Sequence, residues 1–374
     1  MKILHIISDW KWTGPAEPVV NLCAELIRRG HDVTLAIAKV HGDNVPVLRE
    51  RAMEKGVPLF EGLTMRRRIK AATFQDVGTL RRFIRQERFD IIHTHLTHDH
   101  ALAVFALMGM KERPRLIRTS HKGVPLRNNF GNRFLMSRTD GLITVSQMAA
   151  EGDAKSFSFS PERVSVIQNA IDLDRFAPRE KNPCLMEELG ISPDDVVVGI
   201  VARLQRHRRY EVFLEAMKQA SASHPNIKAI IVGRGTYAEE VAYRPVREMG
   251  LEKTVILAGY RKDDYLDVLA LFDMKVFLVP GSDGSCLALR ELMAMGKPAI
   301  AAKRGMLPEV VDDGVDGYVI DDTSVNLKGT ILKLTNNEEE RLRMGEKARQ
   351  KSNLFFSLSK QVESIDHFYK ALKK

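Results

Sequence analysis

The sequence predicts an α/β protein built from two doubly wound, parallel-sheet halves. Three observations carry this. Short apolar runs of strand length recur along the chain, among them 2–8 (KILHIIS), 196–201 (VVVGIV) and 274–279 (MKVFLV). Helical patterns alternate with them, the order that builds parallel sheets. The chain has 374 residues, ample for two domains.

The bulk properties narrow the class. No run approaches the roughly 18 apolar residues needed to cross a bilayer. The opening MKILHII reads as a first strand rather than a secretion signal. Cys23, Cys184 and Cys286 lie far apart without metal-type spacing, and read as reduced thiols of a cytoplasmic protein. Charge is uneven: residues 1–170 carry 26 Lys and Arg against 17 Asp and Glu, whereas 171–374 carry 31 of each. The basic runs are Arg66, Arg67, Arg68 and Lys70; Arg81, Arg82, Arg85 and Arg88; and Arg113, Arg115 and Arg118. That half faces something anionic (a lipid surface, a phosphorylated acceptor or nucleic acid) or is a solvated basic face.

Taken in order, residues 2–8 form strand one, and the loop 9–18 contains Gly14. A helix with Val19, Cys23, Leu26 and Ile27 on one face closes at Arg28-Arg29-Gly30, and 33–37 is strand two. Residues 90–100 read DIIHTHLTHDH; His93, His95, His98 and His100 invite a metal reading, as in metal-dependent hydrolases. Thr97 stands where that hydrolase pattern requires an Asp. Residues 116–120 form a strand with His121 directly after it, and 141–146 form another. Residues 164–176 (VSVIQNAIDLDRF) lead into a hinge, with the domain boundary between Ile171 and Pro183.

The second half opens with the strand 196–201, followed by Ala202-Arg203-Leu204 and a basic run ending in Arg208-Arg209. Arg203 and Arg208 past a strand end can grip a diphosphate; a solvated basic turn is the alternative. Residues 229–238 (AIIVGRGTYA) give a formal Gly233-x-Gly235-x-x-Ala238 fingerprint, but the next strand ends in Gly259-Tyr260-Arg261 instead of an acid. Residues 279–298 read as strand end, small-residue loop and helix, with Leu287, Leu289, Leu292, Met293 and Met295 at helical spacing and Gly296 and Pro298 as stops. The helix N-terminus suits an anionic oxygen or phosphate, and Asp283 and Glu291 flank it. An acidic helix around 336–351 precedes a last helix carrying Val362, Ile365, Tyr369 and Leu372 at three-four spacing.

These motifs resemble the family 4 retaining glycosyltransferases of the GT-B fold. Asp283-Gly284-Ser285-Cys286, then Glu291 and Ala294-x-Gly296-x-Pro298, has the spacing of the family's Glu-Gly-Phe-Gly signature; Asp283 replaces the first Glu, and Ser285-Cys286 the Phe-Gly pair. Arg29-Gly30-His31-Asp32-Val33, Asp90-x-x-His93-x-His95, the hinge segment and Pro308-Glu309 to Gly317 are similar to further family segments. The resemblance implies two Rossmann-like domains facing across a cleft: 1–172 for the acceptor, 173–355 for the nucleotide sugar, and a helix 356–374 crossing back onto the first. It implies a nucleotide-diphosphate sugar as donor, no cofactor and no metal. Arg203, Arg208 and the backbone at Cys286-Leu287 would hold the diphosphate. Gly14 and Gly233 would approach the donor, Tyr260 and Arg261 would cup the base, and Glu291 would meet the ribose. Asp283 and Ser285 would lie at the donor sugar, and His121 beside its reacting carbon. Asp172-Leu173-Asp174, which in another glycosyltransferase fold would bind manganese, sits in a linker-like turn and is a decoy. The implied acceptor is an anionic glycolipid or oligosaccharide, such as a lipopolysaccharide core, reached from the inner face of the membrane; nucleic acid is not expected. The alternatives are a nucleotide-sugar binder without catalysis, or a metal hydrolase on the histidines.

Overall fold

The computed structural model describes residues 1–9, 15–39, 47–65, 71–280 and 286–373. Gly14, Asp283, Ser285 and the basic run Arg66 to Lys70 lie outside the described residues. Two compact units divide the chain: Met1–Ala170 with Leu358–Lys374, and Ile171–Gly281 with Cys286–Ser357.

The first unit is built on seven strands: β1 (Lys2–Ile7), β2 (Asp32–Ala38), β3 (Leu59–Leu63), β4 (Ile91–Thr94), β5 (Arg115–Ser120), β6 (Gly141–Thr144) and β7 (Val164–Val166). Their order is β3-β2-β1-β4-β5-β6-β7, and every pair is parallel. Strands covered on both faces need near-continuous apolar runs, and β1 is buried from Ile3 to Ile7. The helix Ala16–Arg28 packs on one face together with the final helix, Leu358–Lys373. Val362, Ile365, Phe368 and Tyr369 of that last helix are buried in the same core as Ile3, Ile91 and Ile117. Its approach requires Gly141, where a Cβ would fall 2.4 Å from Leu372 Cδ1.

The second unit repeats the design with β8 (Val196–Val201), β9 (Ile227–Val232), β10 (Val255–Gly259), β11 (Met274–Phe277), β12 (Ala299–Ala302) and β13 (Gly317–Ile320). Their order is β10-β9-β8-β11-β12-β13, again all parallel. The order reverses between β8 and β11. In such sheets ligands bind beyond the strand C-termini at the reversal.

Three of the basic residues of the first unit turn out to be structural. Arg118 is buried; Arg113 grips Asp140 at 2.6 and 3.0 Å; Arg81 caps the end of helix Thr97–Leu107 through the carbonyls of Phe105, Ala106 and Met108. These cations are spent inside the fold.

Candidate active site

In the second unit β8, β9 and β10 end side by side, and the residues that follow them line a cavity of about 900 Å³. Its wall includes Arg203 after β8, Gly233 and Arg234 after β9, and Tyr260, Arg261 and Lys262 after β10. Arg175, Tyr265 and Ala288 complete it from neighbouring elements.

The two glycines of the 233–238 segment are there for backbone approach. A Cβ on Gly233 would lie 2.0 Å from the Ala202 carbonyl oxygen, and one on Gly235 2.1 Å from that of Leu204. Both obstacles are main chain and cannot rotate away. Gly233 also has φ +153, which L side chains rarely adopt. Gly233→Ala is therefore expected to destabilise the protein by about 2 kcal/mol, read as a fall in the urea midpoint. An unchanged midpoint would mean that the two loops separate freely.

The cavity is strongly cationic. No carboxylate is among its described lining residues. Arg261 is already balanced, donating to Asp264 at 2.6 Å and Glu188 at 3.2 Å. Arg175, Arg203, Arg234 and Lys262 make no ion pair among the described residues, and Arg234 stacks 4.3 Å over the Tyr260 ring. Arg208 is not among the cavity's lining residues; its Nη1 donates to the Val279 carbonyl at 3.0 Å and so holds the chain just past β11.

The helix Leu287–Ala294 begins at Cys286, which sits in the left-handed region at φ 49. A glycine at this position, as in the signature it resembles, would relieve that strain. Glu291 accepts a 2.7 Å hydrogen bond from the Tyr265 hydroxyl, and burial, then the Glu291 charge, pushes the Tyr265 phenol well above its usual value. Beneath this helix Lys275 of β11 is fully buried, with Nζ donating to the Ala288 carbonyl at 2.5 Å. Burial brings its pKa down to about 7, against the pull of Glu291 and Cys286. Sequence reasoning overlooked Lys275, although a lysine inside the apolar run MKVFLV was the available signal. Arg175, Arg234, Lys262 and Tyr265 carried none, because segments distant in sequence converge only in the fold. The Asp172-x-Asp174 pair is used locally: Asp172 Oδ1 accepts the Asp174 and Arg175 backbone N–H groups.

In the first unit the four histidines of 93–100 do not converge. His100 bonds Thr139 at 2.8 Å and Arg118 at 3.0 Å, while His98 is only half-buried. His93 and His95 instead meet His5 and His121. The ring nitrogens of His5, His93 and His95 come within 4.8 Å of one another, but each nitrogen of His93 and His95 already has a hydrogen-bond partner. This arrangement removes the support for a hydrolase site on His93, His95, His98 and His100.

Comparison with known proteins agrees with this anatomy. Residues 183–351 match the family Glycosyl transferases group 1, and residues 13–175 match Glycosyltransferase Family 4. The chain is 27% identical over 310 residues, 78% of each chain, to the UDP-Gal:alpha-D-GlcNAc-diphosphoundecaprenol alpha-1,3-galactosyltransferase of Escherichia coli. It is 26% identical over 366 residues to the D-inositol 3-phosphate glycosyltransferase of Corynebacterium glutamicum, covering 90% of this chain and 87% of that one. Among solved structures, a glycosyltransferase from Rickettsia africae superposes with a TM-score of 0.84 at 16% identity, over 100% of this chain and 98% of that one. Anabaena HepE, solved with UDP and glucose, gives 0.77 at 18% identity over 98% of both.

Proposed function

The chain belongs to the group 1 and family 4 glycosyltransferases, and from that premise we propose that it transfers a sugar with retention of configuration to an anionic envelope glycolipid. Enzymes of this type act on nucleoside-diphosphate sugars. The observation that carries the donor assignment is the cationic cavity wall, where Arg175, Arg203, Arg234 and Lys262 make no ion pair among the described residues. A nucleoside diphosphate is the leaving group, and its negative charge grows as the glycosidic bond breaks. Fixed cations aimed at that charge stabilise the transition state more than the ground state.

In this reading Arg203 meets the diphosphate directly, and Arg208 acts by holding the strand end at Val279. The backbone at Cys286-Leu287 completes the diphosphate site. Gly14 and Gly233 allow close approach to the donor, and Tyr260 and Arg261 flank the base. Glu291, oriented by Tyr265, takes the ribose, while Asp283 and Ser285 meet the donor sugar. His121 sits beside the reacting sugar carbon. The acceptor assignment draws on the charge excess of residues 1–170 and on the lipid-diphosphate acceptor named for the E. coli relative. Reversible contact with the inner membrane face follows from the same charge. Among the described residues no helix is long and apolar enough to cross a membrane.

Because the cavity wall supplies arginine and lysine cations, no metal is needed to hold the diphosphate. Transfer is expected to continue after EDTA treatment; loss with EDTA and return with manganese would overturn this part. The function itself is tested by incubating the protein with nucleotide sugars and lipid-linked oligosaccharide acceptors, then reading the anomeric configuration of the product by NMR. An inverted product would contradict retention, and hydrolysis without transfer would contradict the acceptor class.

A further inference from the structure

Strand β11 is buried at all four of its positions, Lys275 among them. A strand covered on both faces takes apolar side chains, and a lysine there loses its hydration. The residue therefore works against the stability of the sheet unless its charge is used. Nζ donates to the Ala288 carbonyl at 2.5 Å. Ala288 stands in the first turn of the helix Leu287–Ala294 and lines the cavity. A helical carbonyl points toward the residue four further on, so this oxygen lies level with Glu291. Burial brings the lysine down to about 7, and the charge of Glu291, then that of Cys286, draws it back toward its ionised form.

The start of this helix has need of such a tie. Cys286 leads into it from the left-handed region, and a thiol is a poor substitute for the Ser, Thr, Asp or Asn oxygen that usually caps a helix. One turn further on, Glu291 accepts from the Tyr265 hydroxyl at 2.7 Å, and Tyr265 lines the same cavity. The carboxylate is thus held between a phenol of the cavity wall and a cation of the strand below. All of these residues belong to the second unit.

We propose that Lys275 is a positioning residue for donor binding, which ties down the first turn of the helix Leu287–Ala294 and fixes the Glu291 carboxylate where ribose hydroxyls meet it. This rests on the proposed contact of Glu291 with the ribose. An ionised carboxylate only accepts hydrogen bonds, so it can take them from a ribose and from Tyr265 together. A charged acceptor binds a hydroxyl more strongly than a neutral one, provided its position is kept. Lys275 does not touch the donor in this arrangement; it acts through Ala288 and Glu291.

The test reads ribose recognition rather than overall activity. Wild-type protein and Lys275→Met are titrated by calorimetry with uridine, guanosine and adenosine diphosphates and with the 2′-deoxy and 3′-deoxy counterparts of each. The wild type is expected to bind one ribonucleotide at least about tenfold more tightly than one of its deoxy counterparts. Lys275→Met is expected to bring that preference below about threefold, with affinity for the deoxy nucleotide little changed. Methionine keeps the volume of the lysine stem and removes a desolvated charge, so the melting temperature should change little. A full preference in Lys275→Met overturns the proposal and makes Lys275 a packing residue. A wild type that binds a diphosphate without preferring the ribose overturns the Glu291 contact, and the proposal with it, but leaves the diphosphate assignment standing. A wild type that binds no diphosphate overturns the donor reading itself. A second measurement needs no change at Lys275. Carbon NMR of lysines labelled at Cε is expected to show a lysine titrating near neutral pH in the wild type and at lower pH in Glu291→Gln, where the pull of the carboxylate is gone. An unmoved titration would separate the two side chains and overturn the proposal.

Discussion

Arg203→Ala is expected to slow transfer by about 10²-fold in kcat while leaving the melting temperature nearly unchanged. Arg203 lines the cavity beyond β8, β9 and β10, the proposed donor site, and has no ion-pair partner among the described residues. Removing it therefore orphans no buried acid, and little stability is lost. What is lost is a cation facing the departing diphosphate, whose charge is greatest in the transition state. Arg208→Ala is expected to slow transfer to a similar degree for another reason, because it frees the Val279 carbonyl just past β11. A modest fall in melting temperature should accompany it. Steady-state kinetics and a thermal melt on both variants decide this, and wild-type rates in Arg203→Ala would remove the diphosphate assignment.

Acid is expected to destabilise the protein well above the carboxylate range. Burial lowers His5 to about 3 and holds His93, His95 and His100 well below 6.5. Groups depressed in the folded state contribute stability that is complete above the unfolded value and is lost as pH falls. Each of the four weakens the fold as pH falls through 6.5, because the unfolded chain takes up the proton and the folded one does not. Two carboxyls oppose this. Burial raises Asp99 to about 7 and Asp153 to about 6. A carboxyl raised in the folded state contributes stability at low pH that is lost as pH rises through the folded value. Together these two return about 4 kcal/mol at pH 5. The four histidines outnumber the two carboxyls, and the net expectation is a loss of stability between pH 8 and pH 5. Urea midpoints at the two values measure it; an equal or higher midpoint at pH 5 would mean that the histidines are solvated.

The sheets were legible because parallel strands buried on both faces must be apolar runs, and β1, β8 and β11 are such runs. Arg203, Gly233, Tyr260 and Arg261 were legible because each directly follows a strand, where this architecture collects its ligand contacts. The last helix was legible from the three-four spacing of Val362, Ile365 and Tyr369. The meeting of His5 with His93 was not. It depends on the register that sets His5 against His93, and register across 88 residues leaves no local mark. The cluster at 93–100 therefore read as a unit, although His100 belongs to Arg118 and Thr139. The basic half also misled in part. A sequence count cannot separate a solvated arginine from Arg81 or Arg113, whose charges close carbonyls and an aspartate within the fold.

On the proposed function, the unit containing Ile171–Gly281 binds the donor through its diphosphate. Calorimetric titration with a panel of nucleoside diphosphates and the matching monophosphates tests it most directly, on the wild-type protein and on Arg203→Ala. The account predicts that one diphosphate binds saturably at one site per chain, that its monophosphate binds at least about tenfold more weakly, and that Arg203→Ala removes most of that difference. A panel in which no diphosphate binds, or in which mono- and diphosphate bind alike, would contradict it.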